Sequence, residues 1–483
     1  MTLRLMRQEG VITEAEYLAA LRDLADASTA SVVDGSNLVM ARWSAELYGF
    51  LQADYLYDST QSYTDLAGSG QVARPGTYAG DHPRAQLSLR NSRIGFRFRA
   101  PEHRAVRASA RFEADLVGDW ASPAYTGASG QPTEGQFFAS PDLRMRHAYL
   151  KVETPVVDVL VGQTWHLFGW QPIYQPNTYG APGELFSRAP QLRLSRTVTG
   201  KAVTLEVEGA AVRPPGRDSA IPEGEAGIRL AFNGWRGVQT VGATGTRLVP
   251  ASIALTGDVR ALAIANYPTG GTVAAPSLKS TYDISKTGGG VAVDAFLPVI
   301  PARTADTGNA LSLLGEFVYG QGMGDLYSGL SSGLAVPALV PVPAGSPPGT
   351  PSTTPYNPQL DAGLVTVDAK GNATVIQWQT LRAGLQYTLP GLDGRFWIAA
   401  NYANVTSPNA PRLITQIGAT ATARATTNAP AIRNVLNWFN VYFMSELTPA
   451  VRLGFAYAYS NDKYLDGQSG TNHRLEGSAY YVF

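Results

Sequence analysis

The sequence predicts an all-β chain whose strands close into a transmembrane antiparallel β-barrel of 16 strands, with a short N-terminal helix ahead of it. Three observations predict this: apolar and polar side chains alternate along many short segments, charge is scarce for the length, and no apolar run approaches a spanning helix. The chain has 483 residues, of which 38 are basic and 38 acidic, so only 16% are charged. Water-facing surfaces of soluble domains carry roughly a quarter to a third charge, so part of this surface is expected to face something other than water. Mean hydropathy is -0.08, and nothing resembles the ~20 consecutive apolar residues that a helix needs to cross a bilayer. A barrel escapes that requirement because its lipid-facing residues are hidden in alternation with polar ones. The absence of cysteine removes disulfide scaffolds and thiolate metal sites, and zero net charge argues against a nucleic-acid partner. No metal site and no cofactor are expected.

Alternation is clearest between 104 and 116. Val106, Ala108, Ala110, Phe112, Ala114 and Leu116 share one face, and Arg107, Ser109, Arg111, Glu113 and Asp115 share the other, a period of two that marks a half-buried strand. Just upstream, Ile94, Phe96 and Phe98 oppose Arg93, Arg97 and Arg99, and the two runs meet at Pro101-Glu102-His103. That is a hairpin. The same rhythm returns where Val203, Leu205 and Val207 oppose Thr204, Glu206 and Glu208, where Ile228, Leu230 and Phe232 oppose Arg229 and Asn233, and where Leu381, Ala383, Leu385 and Tyr387 oppose Arg382 and Gln386. Outward aromatics near strand ends, Tyr55, Tyr57, Tyr387 and Tyr459, fit a girdle at the lipid interface.

Connection lengths alternate too, which gives the barrel two unlike ends. Short links at 101–104, 154–156, 199–200, 233–235, 391–394 and 448–450 read as inner turns. Long links at 58–85, 118–142, 163–190, 323–372 and 405–431 read as outer loops. With the even strand number of bacterial barrels, the count is 16 if 247–288 is one long outer loop, and 18 if SIALTGDVRALAIANY adds a hairpin to the wall. A wall this wide leaves a lumen that side chains alone do not fill.

The two termini differ in kind. Leu475, Gly477, Ala479, Tyr481 and Phe483 share one face of the last segment, and an aromatic closing an amphipathic strand resembles the signal read by the outer-membrane barrel assembly machinery, with Tyr481 and Phe483 as its carriers. Residues 1–45 read as a separate periplasmic segment before a barrel domain at 46–483. Thr13 and Glu16 have capping-box spacing, and Tyr17, Leu21 and Leu24 line one face of a helix expected over about 14–26. Charges scattered through residues 1–30 leave no apolar signal-peptide core, so export to a Gram-negative outer membrane implies a signal outside this numbering.

Five stretches in order, LYGFLQADYLYDS (47–59), NSRIGFRF (91–98), LRMRHAYLKV (143–152), VGQTWHLF (161–168) and APQLRLS (189–195), resemble the DcaP-like porins. The resemblance is concentrated in 46–196 and continues afterwards mainly as rhythm. It implies a homotrimeric 16-stranded porin embedded in outer-membrane lipid, taking up small anionic solutes such as dicarboxylic acids. Passive diffusion of small hydrophilic solutes, with carboxylates favoured, is therefore the expected function. The alternative is a binding or structural barrel, an adhesin or plugged receptor, without an open channel.

A diffusion pore needs no catalytic atoms, only a hydrated passage whose fixed charges bias the ions in it. The period-two register sends Arg93, Arg97, Arg99, Arg107, Arg111, Glu113, Asp115, Arg193, Arg229 and Arg382 to the pore lining. Arginine forks match carboxylates, so these side chains form either a ladder for anions or, with the acids, struts that stiffen the wall. Arg144 and Arg146 share a face with Ala148, Leu150 and Val152, which a strict register cannot satisfy. A bulge near His147 would turn both arginines inward and avoid the roughly 2–4 kcal/mol cost of an arginine in lipid. Loop 163–190 is too aromatic for a solvated tip, and is expected to fold inward as a constriction carrying Trp165, His166, Trp170, Tyr174, Glu184 and Arg188, or else to pack on other loops or a neighbouring subunit. Segment 334–358 is Pro-rich and nearly uncharged, an extended outer loop. Enzymatic activity is not expected: of the five histidines only His147 lies on a strand, and no serine and acid are apparent beside it.

Overall fold

The computed structural model describes residues 13–20, 31–34, 37–40, 43–63, 72–118, 143–170, 181–213, 221–240, 246–264, 284–302, 307–330, 364–367, 373–391, 394–410 and 433–483, together with Arg7 and Asp65. Its wall is built from 16 antiparallel strands. In chain order these are β1 (Trp43–Asp58), β2 (in two pieces, Arg84–Ser88 and Arg93–Arg99), β3 (Arg107–Asp115), β4 (Arg144–Glu153), β5 (Asp158–Trp165), β6 (Arg188–Thr199), β7 (Val203–Val212) and β8 (Glu223–Thr240). The second half runs β9 (Thr246–Ile264), β10 (Ile284–Ile300), β11 (Ala310–Gln321), β12 (Gln377–Thr388), β13 (Phe396–Thr406), β14 (Arg433–Glu446), β15 (Val451–Tyr464) and β16 (Ser469–Val482). Each strand pairs with the next. β16 then pairs back on β1, from Arg474↔Asp58 to Val482↔Phe50, and the sheet closes. Both pieces of β2 pair with β1, which is why they count as one strand.

Alternation is what makes the closed wall two-faced. Along β1, Leu51, Tyr55 and Tyr57 are exposed while Gln52, Asp54, Leu56 and Asp58 are buried. The same occurs on β16, where Leu475 and Tyr481 point out and Arg474, Glu476, Ser478 and Tyr480 point in. Ile94, Phe112, Leu194, Leu230, Leu255 and Phe317 extend the exposed apolar belt around the circumference. A belt of that size in water is an aggregation surface; in hydrocarbon it is what a barrel requires. No helix among the described residues is long and apolar enough to cross a membrane.

One stretch of the wall departs from the sequence reading. No turn forms at 233–235: β8 runs on to Thr240 through a bulge, with register jumping from Phe232↔Ala251 to Arg236↔Pro250. Nor is 247–288 a single outer loop, because 251–264 is an ordinary wall strand paired on both sides. Its outward Ile253, Leu255 and Val259 alternate with inward Ala254, Thr256, Asp258 and Arg260, so SIALTGDVRALAIANY supplies one strand and not the extra hairpin of an 18-stranded barrel. The total remains 16 because the wall strand implied between a turn at 233–235 and a loop at 247–288 is supplied instead by 251–264. What lies between them, the prolonged ends of β8 and β9, is a hairpin that turns into the barrel. Ser312 Oγ donates to Val238 O at 2.9 Å, and Thr240 N donates to Gln386 Oε1 at 3.1 Å. Ser312 and Gln386 both lie on the inner face.

At the N-terminus a helix is described over 14–20, within the expected 14–26, of which 21–26 lie outside the described residues. Its capping box forms as the spacing predicts: Glu16 N donates to Thr13 Oγ1 at 3.3 Å, and Thr13 N donates to Glu16 Oε2 at 2.8 Å. Strands Ser31–Asp34 and Asn37–Met40 were not foreseen; they add a hairpin to the start of β1 through Asn37↔Glu46 to Met40↔Trp43.

Candidate functional site

The interior has two unlike sides. On the first, the lower part of β1 with β2, β3 and β4, the inner face carries Arg93, Arg97, Arg99, Arg107, Arg111, Arg144, Arg146 and Lys151 against Glu46, Glu113, Asp115 and Glu153. From Arg107 to Asp115 the ladder runs roughly 27 Å along the strand, taking about 3.4 Å per residue, which at a tilt of about 40° is about 20 Å of height, most of the ~25 Å of an apolar barrel belt. Water reaches it: side-chain exposure is 65% at Arg107, 35% at Arg97 and 28% at Arg111.

Register builds this ladder. Arg97↔Arg111 and Arg93↔Asp115 are direct cross-strand partners between β2 and β3, so two like charges face each other and need acids nearby. Glu113 provides one. It accepts from Arg146 Nε at 2.7 Å, from Arg111 at 2.5 Å and from the Tyr48 hydroxyl at 2.8 Å, with Arg93 Nε 3.5 Å away. Asp115 receives a bidentate fork from Arg144, at 3.0 and 2.7 Å, and a further bond from Arg146 at 2.8 Å. Arg146 reaches both acids because of a bulge: Glu113 pairs with His147, and the next pair is Ala114↔Met145, leaving Arg146 as the extra residue. The irregularity expected near His147 is therefore present, and it leaves Arg146 and His147 both buried.

Further round, Arg193 donates to Glu208 at 3.1 Å, and Arg229 lies 3.7 Å from Glu206. Arg97 donates to Glu46 at 2.7 Å and sits 3.8 Å from the Tyr48 ring centroid, a cation–π contact. Arg99 and Arg107 reach acids only at 3.9 and 3.7 Å. Sequence reasoning missed Tyr48, Glu46, Lys151 and Glu153, although Glu46 and Tyr48 share the inward parity of Asp54 on the same strand.

Arg382 joins none of this. It has the inward register expected, but its side chain is only 1% exposed and pairs with Glu316 at 3.4 Å beneath packed loops. It belongs to the second side, β10 to β15, where Phe296, Leu314, Trp397, Trp438, Tyr442 and Met444 form one buried cluster. In a second cluster Val318, Trp378 and Leu436 pack with Phe168 of loop 163–190 and with Met323, Leu326 and Tyr327. A wall strand facing water inside the barrel would carry few such residues, so these inner faces need cover.

Loop 163–190 supplies much of it. Leu167 N and Phe168 N donate to Glu225 Oε2 on β8, Gly169 N to Thr256 Oγ1 on β9, and Trp170 N to Asp294 Oδ2 on β10. The loop thus crosses the inner face strand by strand. On its return Gly183, at φ +76°, lies where a Cβ would meet Val405 at 2.5 Å and Thr380 at 2.6 Å. Glu184 N donates to Ser328 Oγ at 3.0 Å. Trp165 packs against Phe186 at 4.5 Å and under the Arg188 guanidinium at 4.3 Å. Trp170 lies 5.7 Å from Arg229, and His166 Nδ1 lies 2.5 Å from Glu225 Oε1. Tyr174 is outside the described residues, as is 334–358.

His147 has neighbours that the sequence did not show, Thr164 Oγ1 at 3.0 Å and Glu113 Oε1 at 3.9 Å. The second distance is too long for the hydrogen bond that orients a catalytic imidazole, and Glu113 is held by arginines. At the other end of the wall, Tyr481 faces outward, and Phe483 N donates to Gly49 O at 3.1 Å. A Cβ on Gly49 would meet the Phe483 ring at 2.8 Å, so glycine there lets the last ring close against β1.

A closed 16-stranded wall with an apolar exterior and a charged interior defines a transmembrane β-barrel with the fold of porins. Among solved structures the chain is similar to the outer membrane channel DcaP of Acinetobacter baumannii, with a TM-score of 0.58 and 17% identity over 92% of this chain and 98% of that one. An anion-selective porin from Comamonas acidovorans aligns at TM-score 0.48 and 9% identity, covering 91% and 100%. OmpF of Salmonella typhi aligns at 0.44 and 10%, covering 94% and 100%. No family model matches the chain, and no curated protein does.

Proposed function

We propose that the chain is a passive porin of the Gram-negative outer membrane, working as a homotrimer, that passes small hydrophilic solutes along β1 to β8 and favours small anions such as carboxylates. The observation that carries this reading is the arginine ladder, water-exposed and in excess over the acids beside it. Low-dielectric walls focus the field of that excess and raise the local anion concentration. Arginine forks offer a carboxylate successive bidentate contacts, each exchanged for the next without a deep trap. Loop 163–190 is the constriction in this reading, with Trp165, Trp170 and Arg188 beside the passage and His166 and Glu184 fastening it to the interior.

Planar-bilayer recordings of the purified protein under a KCl gradient test it. The expected result is stepwise conductance with a reversal potential on the anion side, shifted toward cations by Arg97→Glu with Arg107→Glu. Cation preference in the wild type would remove the ladder's role, and absence of any conductance would favour a closed binding barrel.

A further inference from the structure

Beyond permeation, the interior holds a group of side chains that the ladder does not use. His166, at the root of the inward loop, faces Glu223 and Glu225 on β8, and one potential ligand atom from each lies within 4.8 Å of the others. Glu223 and Glu225 are two residues apart on a strand, so both project inward. All three are buried, with 7%, 1% and 3% of their surface exposed. Among the described residues, His166 Nε2 and both carboxylate oxygens of Glu223 find no hydrogen-bond partner.

Charge on this side of the barrel is unbalanced. The Arg260 guanidinium serves three acids, Glu223 at 2.6 Å, Asp325 at 2.5 Å and Asp258 at 3.8 Å. Among the described residues, Glu225 accepts from the His166 imidazole and the backbone N–H groups of Leu167 and Phe168, and the Arg193 charge acts on it from further along the wall. Arg193, the next cation along the wall, is engaged by Glu208. Buried carboxylates without matching cations are expensive unless something positive joins them.

We infer that His166, Glu223 and Glu225 bind a divalent cation of the zinc class, which staples the constriction loop to β8. One imidazole and two carboxylates form a three-ligand set that leaves a fourth position for water, and imidazole favours zinc-type ions over magnesium or calcium. Bond lengths of about 2.0–2.2 Å put ligands on a shared ion roughly 3.3 Å apart, so His166 Nδ1 and Glu225 Oε1, now 2.5 Å apart, must open by about 0.8 Å, while Glu223, within 4.8 Å, closes by up to about 1.5 Å. Glu223 can keep one oxygen on Arg260 and offer the other. The inference rests on the fold alone and stands whether or not the barrel passes anions. It also revises the sequence expectation of no metal: these residues are separated by more than fifty positions and no spacing motif joins them.

The test is metal binding by the full-length protein in detergent, stripped with chelator and then titrated with zinc, magnesium or cobalt chloride. One zinc per chain is expected, with magnesium failing to compete, and bound cobalt should show visible d–d absorption bands. His166→Ala and Glu223→Gln should each weaken zinc binding roughly tenfold or more, while His103→Ala on the exposed turn leaves it unchanged. Wild-type protein that takes up no stoichiometric zinc and gives no cobalt spectrum overturns the inference, as does folded His166→Ala that binds like wild type. If either variant fails to fold, the wild-type stoichiometry and cobalt spectrum decide alone.

Discussion

The two sides of the interior use arginine in opposite ways. On β2 to β4 arginines stand in rows, most of them partly exposed and sharing acids, whereas on the far side Arg382 lies sealed beside Glu316 and Arg433 beside Asp462 at 3.0 Å. Side-chain exposure contrasts them, 65% at Arg107 against 2% at Arg433. A sealed pair such as Arg433–Asp462 is a structural element whose cost of desolvation is offset by its hydrogen bonds. An exposed, surplus arginine leaves a field in water, where a solute can meet it. Inward register is thus necessary for a channel contact but does not suffice; what covers the wall decides.

The comparison can be broken at its packed side first. Trp378→Ala removes a fully buried ring that Phe168, Leu326 and Tyr327 pack around, and should cost about 3–5 kcal/mol, read as earlier denaturant unfolding with ion selectivity intact. If stability holds and selectivity changes instead, the packed side carries solute. Next is Arg146, the buried link between Glu113 and Asp115. Arg146→Ala removes the buried bonds to two carboxylates that keep Arg144, Arg111 and Tyr48, and should cost about 2 kcal/mol, while Arg107→Ala on the same ladder should cost less than about 1 kcal/mol but reduce anion preference. Equal losses of stability from the two would mean that the ladder is a set of struts.

The smallest effect lies outside the wall. Glu16 is held below its ordinary value of 4.5 by the Thr13 backbone N–H and then by the Thr13 hydroxyl. A depressed acid stabilises the folded form fully above its unfolded value, and the contribution is lost as pH falls through the lowered folded value. Hydrogen exchange of 14–20 should therefore accelerate in acid, and Thr13→Ala should accelerate it already at neutral pH. A segment whose exchange ignores both changes would not depend on its cap.

Much of this was legible in the sequence because lipid imposes period two. The hairpin at 93–115, the outward belt and the inward arginines all follow from parity, and even the bulge beside His147 was forced by the conflict between Arg146 and Leu150. Where the chain leaves lipid, parity stops informing. Residues 233–240 have outward and inward faces like any strand, yet they turn into the lumen, because Val238 and Thr240 find cover against Ser312 and Gln386, partners over seventy residues away. The aromatic content of loop 163–190 called for cover, either inside the barrel or on other loops, but it did not show which partners the described ends of the loop would meet. Glu225, Thr256 and Asp294 look like any inward polar residues until the loop lies on them. The seal over Arg382 was hidden for the same reason.

Solute is proposed to pass beside the ladder and not through the packed side. The chain has no cysteine, so single thiols can be placed at Ser109, between Arg107 and Arg111 on the ladder, and at Thr380, sealed beneath Gly183. Adding a charged methanethiosulfonate during bilayer recording should lower conductance stepwise for Ser109→Cys and leave Thr380→Cys unaltered. Block at Thr380→Cys with no effect at Ser109→Cys would contradict the account.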